Sequence, residues 1–366
     1  MERFGFVGLP NAGKSSLYNA LAGGGALAAP YAFATVDPNV GVAKVPDERL
    51  TKLAEMSNSR NVVPASVQFV DIAGLVEGAA QGEGLGNRFL SHIREVDAIV
   101  FVLRAFVDTD VPGSSDPVEQ LSTLEVELVY ADLETLEKQS EKRRKAARVD
   151  KSLADEVAAM DTAIEALQAG TPIYRAGLDD HVRDQLREFF LLTDKPAMAL
   201  VNIDEEQLED PEPVLAPVRA AFGGAAGPSV PPEDAVIGLC IQLEAEAAML
   251  DEDSRAEMLE ALGLGDGALP AFLHAAYRML GLRTFLTTGE KESRAWTFRA
   301  GAKAPQAAGV IHTDFERGFI RAEVIRWDEL LEIGSWSKAR DAGVMRVEGK
   351  DYEVADGDVI EFRFNV

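Results

Sequence analysis

The segment "GLPNAGKS", residues 8–15, constrains the fold more than any other part of the chain. It matches the pattern G-x-x-x-x-G-K-[ST] and lies between a strand-like run, "RFGFVGL", and a helix-like run, "KSSLYNALAG". In such a strand–loop–helix unit the backbone N–H groups point inward and the helix N-terminus adds positive potential, which favours bound phosphate. The sequence therefore predicts a phosphate-binding loop within an α/β fold.

Candidate ligands for the phosphates and for Mg²⁺ follow from this motif and from a second one. Lys14 would reach the β- and γ-phosphates, and the Ser15 hydroxyl would ligate Mg²⁺. The motif "DIAG" (71–74) follows an apolar strand, so Asp71 is placed to hold Mg²⁺ and the Gly74 N–H to donate to a γ-phosphate. The backbone groups predicted to bind the nucleotide are those of Asn11, Ala12, Gly13, Lys14, Ser15 and Ser16.

A third segment, "AFATVDPNVG" (32–41), lies between the two motifs. Thr35 in this loop is the candidate for completing the Mg²⁺ shell when the γ-phosphate is present, as a switch segment does. An ordinary loop threonine is the alternative. The predicted catalytic residues are Lys14, Thr35 and Gly74, with the residue that positions water left unassigned.

The rest of the chain shows three different sequence patterns. Strand-like runs at 66–74, 97–106 and 195–203 alternate with helical segments, which predicts a doubly wound, mostly parallel α/β sheet. A Glu-, Leu-, Ala- and Lys-rich insertion at 117–192 carries leucines at helical spacing and predicts an antiparallel coiled-coil hairpin. From residue 281 onward, short β runs and one helix candidate (327–333) predict a small α+β domain.

Composition limits the class of protein. The formal charge of −25 argues against a protein that coats DNA, because phosphate repels such a surface. No run of 18 apolar residues spans a bilayer, and the start lacks the pattern of a secretory signal. The single cysteine, Cys240, fits a reducing compartment. These features predict a cytoplasmic protein with no membrane partner and no sequence-specific DNA partner.

The base-recognition segment departs from that of a G protein. A G protein carries Asn-Lys-x-Asp at the end of the strand that corresponds to the strand-like run 195–203. This chain has Asn202-Ile203-Asp204-Glu205 there. Glu205 is one methylene longer than Asp, and Ile203 lacks the lysine stem and charge that cover the base. Losing a buried bidentate pair reduces preference for guanine by a factor on the order of 10²–10⁴. The residues alone predict impaired guanine recognition, with an ordinary strand-end loop as the alternative.

Several long motifs resemble those of the Obg-like ATPase (YchF) family. They are "GLPNAGKSSLYNAL", "YAFATVDPNVG", "DIAGLVEGAAQGEGLGNRFLSHIREVDAIV", "APQAAGVIHTDFERGFIRAEVI" and "GDVIEFRFNV". The resemblance implies a G domain (1–116 and 193–280), a helical coiled-coil insertion (117–192) and a C-terminal TGS domain (281–366). It also implies a preference for ATP over GTP and association with ribosomes.

This resemblance gives the base contacts to Asn202 and the Ile203 backbone, while the role of Glu205 stays open. The expected function is a slowly hydrolysing ATP switch that regulates translation or the stress response. A GTP-selective ribosome assembly factor and a non-hydrolysing nucleotide-gated scaffold remain alternatives.

Two positions bear on the rate of hydrolysis. Leu75 stands where Ras-like enzymes carry the glutamine that orients water, so intrinsic turnover is expected to be slow. Members of the family often carry a histidine in the loop after the "VLRAF" strand, but this loop has none, and His92 is better explained as a structural helix residue. Asn11 stands where potassium-activated G proteins carry asparagine, so K⁺ is a possible activator beside Mg²⁺.

A basic cluster interrupts the acidic chain between the two helices of the insertion. It comprises Lys138, Lys142, Arg143, Arg144, Lys145, Arg148 and Lys151. At the tip of a hairpin these residues could bind an RNA phosphate backbone. The residues alone favour a solvated helix face with local pairing to Glu137 and Glu141. The resemblance favours ribosomal RNA, contacted through Lys142, Arg143, Arg144 and Lys145.

Overall fold

The computed structural model describes residues 2–23, 40–72, 85–108, 112–223 and 231–365. Its strands are β1 (Arg3–Val7), β2 (Val40–Lys44), β3 (Val62–Val63), β4 (Ser66–Asp71), β5 (Ala98–Arg104), β6 (Ala197–Asn202), β7 (Val236–Leu239), β8 (Leu282–Thr287), β9 (Ser293–Arg299), β10 (Phe319–Arg326), β11 (Arg346–Glu348) and β12 (Asp358–Phe364).

The helices are α1 (Lys14–Gly23), α2 (Glu48–Ser57), α3 (Leu85–Arg94), α4 (Pro117–Ala147), α5 (Ala154–Gln168), α6 (Asp180–Leu186), α7 (Glu212–Phe222), α8 (Ile241–Ala247), α9 (Glu252–Ala261), α10 (Ala268–Met279), α11 (Ala304–Ile311), α12 (Thr313–Arg317), α13 (Trp327–Ile333) and α14 (Trp336–Asp341). Within the described ranges, none of them combines the length and hydrophobicity that crossing a membrane requires. The chain divides into two compact units, residues 1–43 with 68–279 and residues 44–67 with 280–366.

The first unit is built on a six-stranded sheet with the order β2-β4-β1-β5-β6-β7. β1 pairs in parallel with β4 and β5, and β6 pairs in parallel with β5 and β7. β5 and β6 are buried along their whole length, which explains their nearly continuous apolar sequences. The carboxyl ends of these strands meet at one edge of the sheet, where the phosphate-binding motif lies.

Helices cover both faces of this sheet. Phe6 of β1 stacks on Phe69 and also contacts Phe272 of α10. Phe101 of β5, whose side chain lies on the opposite face, packs against Tyr174 and against Phe222 of α7. The predicted doubly wound, mostly parallel α/β sheet is therefore confirmed.

The insertion folds as a helical hairpin in the first unit. Asp116 caps α4 by accepting from the N–H groups of Val118 and Glu119, and Pro117 occupies the first turn. α4 runs for 31 residues and packs antiparallel to the shorter α5, joined through residues 148–153. Its core includes Val129, Leu136, Met160, Ala163, Leu167 and Ile173.

The second unit contains the sheet β11-β10-β12-β8-β9-β3. β10 pairs antiparallel with β11 and β12, and β8 antiparallel with β9, as the short β runs predicted. Phe285 lies at the centre of its core, in contact with Phe298, Phe362 and the half-buried Trp296. The predicted helix at 327–333 is present as α13.

One segment lies in a different unit from the one expected. The sequence predicts residues 44–67 to lie in the first part of the G domain, whereas in the structure they group with residues 280–366, and β3 pairs in parallel with β9. The Thr288 hydroxyl also donates to the Leu53 carbonyl of α2. The strand β3 has only two residues, and α2 contacts residues far away in sequence. The local sequence therefore does not predict that they belong to the second unit.

Candidate nucleotide-binding site

The loop between β1 and α1 has the backbone conformation that a phosphate-binding loop requires. Asn11 has a φ of 64° and Gly13 a φ of 103°. A Cβ added to Gly13 would lie 2.6 Å from Asn202 Nδ2, and one added to Gly8 would lie 2.5 Å from the Val102 carbonyl oxygen. The glycines of the motif therefore allow the loop to lie directly against β5 and β6.

Lys14 lies inside this loop. Its side chain is only 6% exposed, and Nζ donates to the carbonyl oxygens of Gly8 (3.0 Å) and Leu9 (2.9 Å). Burial lowers the pKa of Lys14, and the negative charge of Asp71 opposes this shift. The ammonium group thus lies within the loop that the motif predicts to bind phosphate.

Ser15 and Asp71, the two described candidates for holding Mg²⁺, are in direct contact. The Ser15 hydroxyl donates to Asp71 Oδ2 at 3.0 Å, although 56 residues separate the two in sequence. Hydroxyl and carboxylate oxygens are hard ligands of the kind that Mg²⁺ prefers, with water and phosphate completing the shell. The donor set therefore fits the ion.

Asn202 braces the phosphate loop. It is buried, its Nδ2 donates to the Ala12 carbonyl at 3.1 Å, and its Oδ1 accepts from the Ile241 N–H at 3.1 Å. Its own carbonyl accepts from the N–H groups of Ala105 (2.8 Å) and Phe106 (3.3 Å). One side chain and one carbonyl thus join the phosphate loop, the start of α8 and the loop after β5.

Ile203 and Glu205 of the base-recognition segment differ in burial. Ile203 is 2% exposed and its N–H donates to the Leu239 carbonyl at 3.1 Å, so its N–H already has a partner and its side chain lies in the core. Glu205 is exposed and begins a short 3₁₀ turn at 206–208. Burial raises the pKa of the nearby Cys240 thiol, and Glu205 and Asp204 add to the rise, which places acidic charge close to the end of β7.

Several predicted residues cannot be placed. Thr35, Gly74 and Leu75 lie outside the described residues. His92 lies half-buried in the last turn of α3, as expected for a structural helix residue.

Two buried polar residues near the site were missed by sequence reasoning. Arg104 at the end of β5 is 3% exposed, and Gln120 in the first turns of α4 is 1% exposed. Both bind backbone groups of the loop at 105–116. A charged residue ending the apolar run "AIVFVL" was the one available signal for Arg104, and no local pattern indicates Gln120.

The basic cluster lies at the tip of the helical hairpin, but its arginines differ from its lysines. Arg143 forms ion pairs with Glu156 (2.8 Å) and Glu188 (3.3 Å), and Arg144 pairs with Asp161. These pairs cross between helices rather than joining neighbours four residues apart on α4. Lys138, Lys142, Lys145, Arg148 and Lys151 are exposed, and within the described part of the chain they form no ion pair.

Comparison with known proteins adds the family. The model described as "50S ribosome-binding GTPase" matches residues 3–160, and the YchF-GTPase C-terminal model, described as a protein of unknown function, matches residues 282–365. The ribosome-binding ATPases YchF of Bacillus subtilis and Escherichia coli O157:H7 are 45% and 42% identical, each over 99% of both chains.

A solved structure also covers the whole chain. The Schizosaccharomyces pombe YchF GTPase is 34% identical, with a TM-score of 0.85 over 99% of this chain and 97% of its own. A GTP-binding protein from Pyrococcus horikoshii, 19% identical with a TM-score of 0.61, shares the fold. Identity of this extent over the full length shows that the chain belongs to the YchF family.

Proposed function

We propose that this protein is a ribosome-associated switch that binds ATP with Mg²⁺ and hydrolyses it slowly. The observation that carries the proposal is the Lys14–Ser15–Asp71 arrangement at the end of a parallel sheet. The relatives at 42–45% identity are named ribosome-binding ATPases.

The roles of the residues follow from the charge and hydrogen bonds of the phosphates. Backbone N–H groups of residues 11–16 bind the phosphate oxygens, and Lys14 supplies a point charge to the β- and γ-phosphates. Ser15 and Asp71 would hold Mg²⁺, with Thr35 proposed as a further ligand. When bound, the ion neutralises developing charge on the phosphates. Gly74 would donate its N–H to the γ-phosphate, and because the Leu75 side chain has no group to orient water, turnover should be slow.

Adenine selection is proposed for the Asn202–Glu205 segment. The buried Ile203 removes the lysine stem that covers guanine in G proteins, and the exposed Glu205 carboxylate does not form a buried bidentate pair. Asn202 and the Ile203 carbonyl then provide the polar groups that face the base.

Calorimetric titration with non-hydrolysable ATP and GTP analogues in Mg²⁺ tests this assignment. ATP analogue should bind at least tenfold more tightly. Equal affinities would support the GTP-selective assembly factor instead. Phosphate release that Lys14→Ala abolishes excludes a non-hydrolysing scaffold, whereas undetectable release from the wild-type protein would favour it.

K⁺ activation is proposed at Asn11, which has a left-handed backbone conformation and an exposed side chain in the phosphate loop, and whose side-chain carbonyl oxygen would bind the ion. The bound cation would act beside the phosphates. ATP turnover should be faster in KCl than in NaCl at equal ionic strength. Equal rates would remove this role of Asn11.

The ribosome contact is proposed at the tip of the hairpin. The segment 138–151 carries seven Lys or Arg and two Asp or Glu residues, whereas the first unit as a whole carries 19 basic and 43 acidic residues. RNA phosphate is repelled by the acidic body and attracted by this tip, so the tip is the part of the first unit that fits ribosomal RNA.

The domains proposed for the chain are a G domain (1–116 and 193–280), a helical insertion (117–192) and a C-terminal TGS domain (281–366).

A further inference from the structure

A continuous series of hydrogen bonds joins the phosphate loop to the base of the helical hairpin. It passes through the segment between β5 and α4, residues 105–116, which we name the β5–α4 loop; residues 109–111 lie outside the described part of the chain. Two buried side chains, Arg104 before this loop and Gln120 after it, organise its backbone.

Gln120 joins the two ends of the β5–α4 loop. Its Oε1 accepts from the Arg104 N–H at 2.9 Å, and its Nε2 donates to the Arg104 carbonyl at 2.7 Å. The same Nε2 donates to the carbonyls of Ser114 (3.0 Å) and Asp116 (3.2 Å). An amide supplies both an acceptor and two N–H donors, and no other side chain of this length does so.

Arg104 holds the interior of the loop. Its guanidinium donates to the carbonyls of Phe106 (3.1 Å), Asp108 (3.2 Å) and Pro112 (3.4 Å). It also lies 4.5 Å from the centre of the Phe106 ring. The loop is therefore held by backbone contacts to two buried side chains, and its conformation depends on both.

The other end of the series is the nucleotide site. The Asn202 carbonyl accepts from the Ala105 and Phe106 N–H groups, while the Asn202 side chain donates to the Ala12 carbonyl of the phosphate loop. Hydrogen bonds and the Arg104–Ala105 peptide bond thus connect the phosphate loop with Gln120. Gln120 lies on α4, which continues from it as one helix for about 40 Å to the basic tip.

We propose that Gln120 is a positioning residue that couples the nucleotide state to the affinity of the hairpin tip for the ribosome. This rests on the proposed function, and it adds the residue through which the two sites communicate. Nucleotide changes the placement of the β5–α4 loop, and Gln120 passes this change to α4. Coupling is reciprocal, so ribosome binding must change nucleotide affinity by the same factor.

The experiment measures the coupling factor directly. The dissociation constant for purified bacterial 70S ribosomes is determined without nucleotide and with AMP-PNP, for the wild type and for Gln120→Met. Methionine has a similar length and no hydrogen-bonding amide. The coupling ratio is the dissociation constant without nucleotide divided by the constant with AMP-PNP. In Gln120→Met this ratio should fall from the wild-type value to within twofold of one. The affinity of the isolated variant for AMP-PNP should stay within about threefold of wild type.

Gln168→Met is the matched control, because Gln168 lies on α5 of the same hairpin and bonds Glu137 rather than the loop. It should keep the wild-type ratio. If Gln120→Met is unfolded by circular dichroism, Gln120→Asn keeps a neutral amide but is one methylene too short to reach all of these backbone groups, and it should lose the ratio in the same way. A purely structural role would lower the melting temperature of either variant and leave the ratio unchanged.

The outcomes separate the two proposals. A wild-type ratio above one that folded Gln120 variants retain would overturn the coupling role and leave the switch function intact. A wild-type protein that binds ribosomes equally with and without AMP-PNP would overturn the switch function itself, and the coupling with it.

Discussion

The base and the tip of the helical hairpin differ in how they use charged side chains. At the base, Glu125 is buried and accepts from the Tyr174 hydroxyl and the Arg175 guanidinium, each at 2.6 Å. At the tip, Lys142 and Lys145 are exposed, and Val149 between the helices is 92% exposed. The base fixes geometry through desolvated hydrogen bonds, whereas the tip presents charge to solvent.

The base also joins the hairpin to the central sheet. Asp132 of α4 accepts from the N–H groups of Leu192 (2.9 Å) and Thr193 (2.7 Å) just before β6, and from the Thr193 hydroxyl. Arg175 donates from its second nitrogen to the Ala221 carbonyl of α7. We therefore expect the free energy of unfolding to depend on the base of the hairpin, and ribosome affinity to depend on its tip.

The largest expected effect is on folding, at Glu125. In Glu125→Ala the half-buried Arg175 guanidinium and the buried Tyr174 hydroxyl lose their acceptor, so unfolding free energy should fall by about 3–5 kcal/mol. Urea denaturation measures it. Glu137→Ala, an exposed glutamate on the same helix, should change it by less than about 0.5 kcal/mol. A loss below about 1 kcal/mol at Glu125 would contradict the role of the base.

The second effect is a pH dependence at Asp132. Burial raises the pKa of this carboxyl to about 6, and the bonds from Leu192 and Thr193 oppose the rise. The folded state therefore keeps the proton up to about pH 6, whereas an unfolded aspartate loses it near pH 3.9. Stability contributed by this group is complete below that lower pKa and is lost as the pH rises to about 6.

The expected loss is about 2 kcal/mol between pH 4 and pH 7. It is measured as the difference between the urea stability profiles of wild type and Asp132→Asn, which cancels the other titrating groups. A difference profile that is flat, or that rises with pH, would show that the hydrogen bonds outweigh burial.

The third effect concerns ribosome affinity at the tip. Replacing Lys142, Lys145, Arg148 and Lys151 by Ala removes up to four phosphate contacts. Affinity for 70S ribosomes should fall about 10- to 100-fold at physiological salt, and the slope of log affinity against log salt should become shallower by about 2–3. Urea stability should stay within about 0.5 kcal/mol of wild type.

Arg219→Ala is the control for this variant, because Arg219 lies on α7, outside the insertion, where its guanidinium pairs with Glu212. It should leave both affinity and salt slope unchanged. If it weakens binding as much as the tip variant does, the contact is not confined to the tip.

The smallest effect concerns the ion pair of Arg144 and Asp161. Their side chains are 55% and 43% exposed, so water screens the pair. A double-mutant cycle with Arg144→Ala and Asp161→Ala should give a coupling of about 0.2–1 kcal/mol in urea denaturation. A coupling above about 2 kcal/mol would mean that ion pairs stabilise the tip as well as the base.

Local sequence predicted the parts of the site that depend on short motifs. The phosphate loop at 8–15, the strands that flank it and the Ser15 and Asp71 candidates follow from residue order, because backbone conformation and hydrophobic pattern act over a few residues. The helices of the insertion followed from leucine spacing in the same way, and Leu121, Leu124, Leu128 and Leu136 are buried.

Contacts between distant residues could not be predicted. Gln120 lies 16 residues from Arg104, and Glu125 lies 49 residues from Tyr174, and nothing in either local pattern marks these residues as buried. Residues 44–67 likewise group with the C-terminal unit through partners more than 200 positions away, among them β9, which pairs with β3, and Thr288, which bonds Leu53.

The sequence by itself determined the α/β class, the phosphate loop and the basic tip, since each depends on side-chain type and spacing within one segment. The tertiary structure alone decided that Ile203 lies in the core, that Asn202 braces the phosphate loop, and that buried amide and carboxylate groups join the hairpin to the sheet. The physical reason is that a buried polar side chain is stable only where other polar groups form hydrogen bonds with it, and folding brings those distant groups together.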